Sequence, residues 1–322
     1  MKLFFSCDWG TSTFRLRLID AGNLKVLSAT TTGDGIAAVF ERWKQENGPP
    51  EKRMSFYKNY LLQHIKTITG SFDGGLFDAP VIISGMVSSN IGMMELPYKD
   101  LPVQCTGADF IVHWVEPAAE DDYRLMIISG VRSQVDVMRG EETMLAGCNI
   151  LHTHQDQLLI FPGTHSKHVT VKNGLVTNIA TYLTGEIFEL LGTKSILAAA
   201  VKKRNPAQNT LSRFFAEGVE EGCKLNLLNS LFHVRVNQLF KMATAEENYD
   251  YLSGLLIGHE LKDITESKPG SITLVCGDGL KTAYMQALTI LLVNCNLQYK
   301  NADEALIKGQ RGIMWLSTPK GG

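Results

Sequence analysis

The sequence predicts an α/β protein of two related halves, each a mixed sheet flanked by helices. Three observations carry this reading. Short apolar strands ending in glycine recur at 80–85, 125–130 and 272–277, the pattern of buried parallel strands. Segments with helical spacing of apolar residues lie between them. A Gly-Thr turn beside a hairpin occurs near residue 10 and again near residue 163, which points to a duplicated unit.

The elements follow in order. Leu3-Phe4-Phe5 is a short apolar strand, and Phe14, Leu16 and Leu18 alternate as the returning arm of a hairpin. Residues 55–69 place Tyr57, Leu61, Leu62, Ile65 and Ile68 at helical spacing. Strand 80–85 leads into a Gly-, Asn-, Pro- and Ser-rich loop over 88–102, and strand 125–130 follows. Residues 139–151 read as a helix opened by Glu141 and Glu142, where the helix dipole favours acids. A second round begins at Gln157, with a strand running into Pro162-Gly163-Thr164 and a hairpin turned by Asn173-Gly174. Helices are expected over 185–191, 211–229 and 248–265, with Gly254 and Gly258 allowing close packing. Strand 272–277, helix 280–291 and a final helix over 302–316 complete the chain. The expected domains are 1–155 and 156–322, and segments 46–52 and 202–209 read as surface loops.

Composition narrows the function classes. Of 322 residues, 44% are hydrophobic and 20% charged, enough apolar material for a sizeable core. Thirty-one Lys+Arg against 33 Asp+Glu give a net charge of −2, so nothing points to nucleic acid or an anionic membrane. No apolar run reaches membrane-spanning length, and the N-terminal apolar stretch is too short for a signal peptide. The six cysteines are scattered without a Cys-x-x-Cys pair, as expected of buried thiols in a reducing cytoplasm. The expected location is cytoplasmic, with a homodimer left open.

Asp8-Trp9-Gly10-Thr11-Ser12-Thr13 is the most informative stretch. A strand–turn–strand of this composition gathers a carboxylate, a glycine and three hydroxyls at one point. Glycine lets backbone approach a ligand, and turn amides with hydroxyls suit phosphate oxygens. A carboxylate beside phosphate implies a cation, most simply Mg²⁺. The plain alternative is a polar hairpin turn. Turns at 162–167 and 276–279 add a second hydroxyl-bearing turn and a late Gly-x-Gly. That order is what an actin-like nucleotide fold shows, in which two related domains clamp ATP phosphates and a late glycine turn packs on adenine.

The chain also resembles a specific family. The matching stretches are 8–13, Ser84-Gly85-Met86-Val87-Ser88-Ser89-Asn90-Ile91-Gly92, Met138-Arg139-Gly140-Glu141-Glu142-Thr143 and Pro162-Gly163-Thr164-His165-Ser166-Lys167. Leu183-Thr184-Gly185-Glu186, residues 252–258 and residues 272–277 continue the series. These resemble the 2-dehydro-3-deoxygalactonokinases, members of the sugar kinase, Hsp70 and actin superfamily, from residue 3 to about 316. The resemblance implies two ribonuclease H-like (actin-like ATPase) domains, with ATP and Mg²⁺ as cofactors. It implies phosphorylation of the terminal hydroxyl of 2-dehydro-3-deoxy-D-galactonate to the 6-phosphate, in galactonate catabolism.

Joined to phosphoryl-transfer chemistry, the resemblance implies roles. Asp8 holds Mg²⁺, while Gly10, Thr11 and Ser12 contact the β- and γ-phosphates. Gly163, Thr164 and His165 form the second phosphate loop, and Lys167 adds a charge near phosphate or is a solvated strand residue. His165 and His168 lack a third ligand nearby in sequence, which argues against zinc. Related carbohydrate kinases take their base from a Gly-Asp-Asn segment opening a helix. Arg139-Gly140-Glu141-Glu142 stands in the similar place, with Glu141 aligned most naturally and Glu142 left open. Arg139 offers a fork to the sugar acid's carboxylate, and Ser88, Ser89 and Asn90 reach its hydroxyl or keto oxygens. Adenine rests near Gly277, Asp278 and Gly279, with Gly185 and Glu186 opposite. Trp9 and Met86 read as core. Competing readings are a kinase for another small sugar acid and an actin/Hsp70-type nucleotide switch.

Overall fold

The computed structural model describes residues 2–46, 49–70, 76–119, 122–150, 153, 155–204, 210–267, 269–292 and 295–317. The linker candidates at 46–52 and 202–209 therefore lie partly outside the described residues, as does Leu151. The chain divides into two units, residues 1–152, 174–179 and 302–322 in one and 153–173 and 180–301 in the other.

In the first unit, β1 (Leu3–Trp9), β2 (Phe14–Asp20) and β3 (Val26–Thr32) form an antiparallel meander, followed by α1 (Ile36–Gln45) and α2 (Arg53–Thr69). Then come β4 (Val81–Gly85), the short β5 (Lys99–Asp100) and β6 (Val103–Gln104), β7 (Val112–Val115) and β8 (Leu125–Ile128). Short strands β9 (Val131–Arg132) and β10 (Val137–Met138) lead into α3 (Glu141–Gly147). The main sheet runs β3-β2-β1-β4-β8-β7, with β4 parallel to β1 and β8 parallel to β4. The two inner parallel strands are buried at every position, as their continuous apolar sequence requires. One stripe of α2, Tyr57, Leu61, Ile65 and Ile68, packs on this sheet with Trp9 and Phe14. Leu62, expected in that stripe, is only partly buried. Helix α3 is shorter than the predicted 139–151 because Gly140 (φ 114°) starts it and Asn149 (φ 51°) lies just beyond its end.

The second large sheet repeats the plan, although residues 174–179, which lead into and begin its third strand, are grouped with the first unit. Strands β11 (Gln157–Phe161), β12 (Ser166–Lys172) and β13 (Leu175–Tyr182) form the meander, its second turn made by Asn173 (φ 49°) and Gly174 (φ 76°). Helices α4 (Thr184–Lys194), α5 (Arg213–Lys224), α6 (Leu227–Leu239), α7 (Ala245–Glu260) and α8 (Lys262–Ser267) follow. Strand β14 (Ser271–Cys276), helix α9 (Asp278–Leu291) and strand β15 (Asn296–Asn301) complete it. The order β15-β14-β11-β12-β13 mirrors β8-β4-β1-β2-β3, with parallel pairs at the corresponding places. Two mixed sheets of one topology, each flanked by helices, are the duplicated ribonuclease H-like, actin-like architecture expected.

Predicted helix 211–229 is two helices, because Asn226 caps α6 by accepting Asn229 N–H. Predicted helix 248–265 is α7, opened at Thr244 by a capping box with Glu247, and then α8. Gly254 and Gly258 do pack closely: a Cβ on either would stand 2.2 Å from a carbonyl oxygen of α5. The C-terminal helix α10 (Ala302–Ser317) belongs to the first unit, not with residues 156–322. Its Gly309 and Gly147 of α3 explain why, since a Cβ on either would fall 1.8 Å from the other helix's backbone oxygen. Among the described residues no helix is long and apolar enough to cross a membrane, and all six cysteines are free thiols.

Candidate active site

The strand register gathers the first unit's candidates at one sheet edge. Asp8 pairs with Ser84 and Trp9 with Gly85 at the ends of β1 and β4. After Asp8 the chain turns through Gly10, whose N–H donates to Thr13 O at 2.9 Å. Ile36 N–H and Ala37 N–H at the start of α1 donate to Gly10 O and Thr11 O. This docking needs glycine at the helix cap, since a Cβ on Gly35 would lie 2.2 Å from Thr11 O. The turn is thereby fixed from below while Thr11 and Ser12 stay exposed. Trp9 is core, stacked on Tyr60 and edge to face with Phe14 and Tyr57; Met86 is partly buried against the same cluster.

Asp8 is largely buried and accepts a 3.0 Å hydrogen bond from Arg15 Nη1. Burial pushes its carboxyl pKa up, and the Arg15 and Arg17 guanidiniums oppose that rise. Hairpin register sets Arg15 directly across from Asp8. A cation's fit can be judged from these donors. No group of three or more His, Cys, Asp or Glu side chains that would hold a metal exists among the described residues. One carboxylate next to exposed hydroxyls suits a Mg²⁺ that keeps waters and phosphate oxygens as its other ligands. It does not suit zinc: exposed His165 pairs with Glu186, while buried His168 pairs with Glu260.

The acids stand at the same edge. Gly140 packs on the end of β4, a Cβ there coming 3.4 Å from Gly85 Cα. Glu141 is partly buried and accepts Arg139 N–H at 3.1 Å. Glu142 is wholly enclosed and accepts Gly140 N–H at 2.7 Å and the Thr143 hydroxyl at 3.0 Å. Burial, then the neighbouring Glu141 charge, pushes Glu142 up to about 8. The two acids are thus unlike: one reaches the surface and the other locks the turn.

Arg139 lies with its guanidinium carbon 4.1 Å from the centre of the Tyr98 ring. Its Nη1 donates to Ser88 O and Oγ and its Nε to Tyr98 OH, while its Nη2 makes no hydrogen bond among the described residues. Ser88 and Ser89 are tied to backbone carbonyls. Their hydroxyls donate to Ile128 O and Met86 O, and both residues are buried. They brace the loop and Arg139. Asn90 is exposed beside them, with its carbonyl held by Arg53.

The second unit repeats the docking device. Glu186 N–H donates to Thr164 O at 3.0 Å, and a Cβ on Gly185 would stand 2.4 Å from Gly163 O. Gly185 therefore supports this turn. Thr164 and His165 are exposed on that turn. Lys167 is buried, its Nζ 2.9 Å from Thr181 Oγ1, and no described acid pairs with it. β11 and β14 run parallel with Ile160 opposite Leu274, so turns 162–165 and 277–279 leave the sheet at one edge. Gly277, Asp278 and Gly279 open α9, all exposed, and a Cβ on either glycine would meet nothing within 4 Å.

Several site residues escaped the sequence reading. Gln310 of α10, fully buried, donates from Nε2 to Cys7 O and Ser84 Oγ, tying the ends of β1 and β4. Gly35, which docks α1 on the first turn, escaped as well. Only Arg15 carried a local signal, standing among apolar residues in β2 on the strand face opposite to theirs.

Comparison with known proteins follows the same lines. A family model described as 2-keto-3-deoxy-galactonokinase matches residues 8–313. The chain is 32% identical over 241 residues to the Escherichia coli (strain K12) 2-dehydro-3-deoxygalactonokinase, covering 73% of this chain and 78% of that one. It is 30% identical over 316 residues to a Rhizobium meliloti (strain 1021) protein provisionally named 2-dehydro-3-deoxygalactonokinase DgoK1, covering 95% and 94%. A crystal structure from Sinorhizobium meliloti, provisionally assigned as a 2-dehydro-3-deoxygalactonokinase, superposes with a TM-score of 0.79 at 27% identity, covering 99% and 98%.

Proposed function

The chain belongs to the 2-keto-3-deoxy-galactonokinase family and is a carbohydrate kinase; on that premise we propose how its residues divide the reaction and which substrate they take. The substrate is 2-dehydro-3-deoxy-D-galactonate, phosphorylated at its terminal hydroxyl by ATP. The observation that carries this reading is the Arg139-Gly140-Glu141 corner, where the Glu141 carboxylate accepts the Arg139 N–H and Gly140 packs on Gly85, next to the strand end bearing Asp8.

In the proposed step the terminal hydroxyl oxygen bonds to the γ-phosphorus, and the bond from that phosphorus to the β–γ bridging oxygen breaks. ADP leaves, and the hydroxyl proton passes to Glu141. Glu141 takes the role because its side chain reaches the surface, whereas Glu142 is enclosed. Proton removal by a placed carboxylate accelerates such reactions by roughly 10²–10⁴. Arg139 Nη2 receives the substrate carboxylate, and Asn90 reaches its polar oxygens. Gly10, Thr11 and Ser12 in one unit and Gly163, Thr164 and Lys167 in the other take phosphate oxygens; Gly277–Gly279 take the adenosine end. Asp8 is the residue that would hold Mg²⁺, which when bound neutralises phosphate charge. The free thiols fit a cytoplasmic enzyme.

The test is ADP release coupled to a dehydrogenase readout, with and without Mg²⁺, across sugar acids. Turnover with 2-dehydro-3-deoxy-D-galactonate and not its gluconate epimer supports the substrate. Turnover on another acid alone replaces the substrate and keeps the kinase. ADP release indifferent to every acid would favour a nucleotide switch instead.

A further inference from the structure

We infer that Glu260, which touches neither substrate nor phosphate, is the positioning residue that holds the second unit's nucleotide-binding elements in one arrangement. This rests on the reading of that unit as the ATP-binding half.

Glu260 is the last residue of α7 and 3% exposed. Its Oε1 accepts the Ser166 hydroxyl at 2.6 Å and lies 2.9 Å from His168 Nε2. Its Oε2 accepts the Tyr284 hydroxyl at 2.7 Å, and the Thr184 side chain is a further hydrogen-bond partner. Where these partners sit matters more than their number. Ser166 opens β12 directly after the turn carrying Gly163, Thr164 and His165. Thr184 opens α4, whose next residues, Gly185 and Glu186, close on that turn. Tyr284 lies on α9, whose first residues are the proposed adenosine contacts. One carboxylate thus joins the phosphate turn, the helix docked beneath it and the adenosine helix. The Tyr182 ring, 4.5 Å from the His168 ring, covers the network from β13.

A buried carboxylate is costly unless hydrogen-bonded, and an apolar core of the same volume is commonly as stable. A purely structural role would therefore need no acid here. An acid with directional bonds to three separate elements fixes their spacing, which phosphoryl transfer requires.

The experiment measures ADP affinity by titration calorimetry on the full chain, together with separate KM values for ATP and the sugar acid. Thr184→Val and Tyr284→Phe each remove one leg while keeping shape. Glu260→Gln weakens all of them. Loss of hydrogen bonds to a charged group is expected to weaken ADP binding about tenfold for Glu260→Gln and severalfold for each single-leg variant. KM for the sugar acid should stay within about twofold, since its proposed contacts lie in the other unit. Combining Thr184→Val with Glu260→Gln should add little to Glu260→Gln alone, because both break one network. If Glu260→Gln does not fold, the two single-leg variants decide. ADP affinity unchanged in the variants, with or without a lowered Tm, overturns the inference and leaves Glu260 as core. Wild-type protein that binds no ADP would instead overturn the nucleotide reading, and this inference with it.

Discussion

Glu142 reaches back around its own helix start to accept the Gly140 N–H at 2.7 Å. Gly140 holds φ at 114°, a conformation open to few residues besides glycine. The corner that carries Arg139 and Glu141 is therefore closed by a side chain from the next residue along. A buried carboxylate with no described basic partner is an unusual clasp, and it has a measurable signature.

That signature is pH-dependent stability. Folding raises the Glu142 pKa from an ordinary 4.5 to about 8, through burial first and Glu141 second. Between those values the unfolded chain has released this proton and the folded chain keeps it. The contribution is full below about pH 4.5 and is lost as pH rises through about 8. Glu142→Gln keeps the shape and removes the titration. Its Tm should fall less between pH 5 and pH 8 than the wild-type Tm does. Equal slopes would mean that folding does not raise the Glu142 pKa.

Gly140→Ala should act through the backbone. The added Cβ meets Gly85 only at contact distance, so positive φ is the main source of strain, costing about 1–3 kcal/mol. Urea denaturation should show that loss. kcat should fall with it, because Glu141 and Arg139 turn with this residue. Full stability in the variant would show that the corner relaxes without strain.

These features differ in how far the sequence reveals them. The first hairpin is legible because Phe14, Leu16 and Leu18 alternate with Arg15 and Arg17. The second is legible because Asn173-Gly174 suits only a few turn geometries. β3 left no such trace: Val26–Thr32 is largely exposed, and after Val26 and Leu27 its small and hydroxyl residues show no apolar alternation. Asp8 and Glu141 announced themselves by their neighbours in the chain. Gln310 and Glu260 did not, since their partners lie far away in sequence and each sits in an ordinary helical stretch. For Ser88 and Ser89 the sequence displays a run of hydroxyls but not the distant Ile128 carbonyl that holds one of them.

Arg139→Lys tests the substrate end. Lysine keeps the charge but loses the fork onto Ser88 and the planar stack on Tyr98. KM for the sugar acid should rise about tenfold or more, as for loss of a charged hydrogen bond. KM for ATP should not move. A rise in the ATP value alone would reassign Arg139 to the nucleotide.

Two glycines of the second unit should respond in opposite ways. A Cβ at Gly185 strikes Gly163 O, backbone that cannot yield without moving the turn, so Gly185→Ala should lower both stability and ATP affinity. A Cβ at Gly279 meets nothing, and alanine in a helix is worth about 0.5–1 kcal/mol over glycine. Gly279→Ala should therefore raise Tm slightly. If adenine rests there, ATP affinity falls in a protein that has become more stable. Unchanged affinity would place adenine elsewhere.

Asp8→Asn should separate activity from stability most sharply. Burial holds the Asp8 carboxyl pKa above its usual range even with Arg15 at 3.0 Å, so its charge is kept at a cost to the fold. Asparagine retains the shape and an acceptor for Arg15, without the charge. At neutral pH the variant should melt at the wild-type temperature or above it, the pattern of a site that trades stability for function. Turnover should drop by about 10³ or more, the scale on which loss of a preorganised charge acts. Raising Mg²⁺ should not restore it, because the carboxylate proposed to hold the ion is gone. Near-normal turnover in Asp8→Asn would remove Asp8 from the metal site, and the cation would then have to be held by phosphate and water alone.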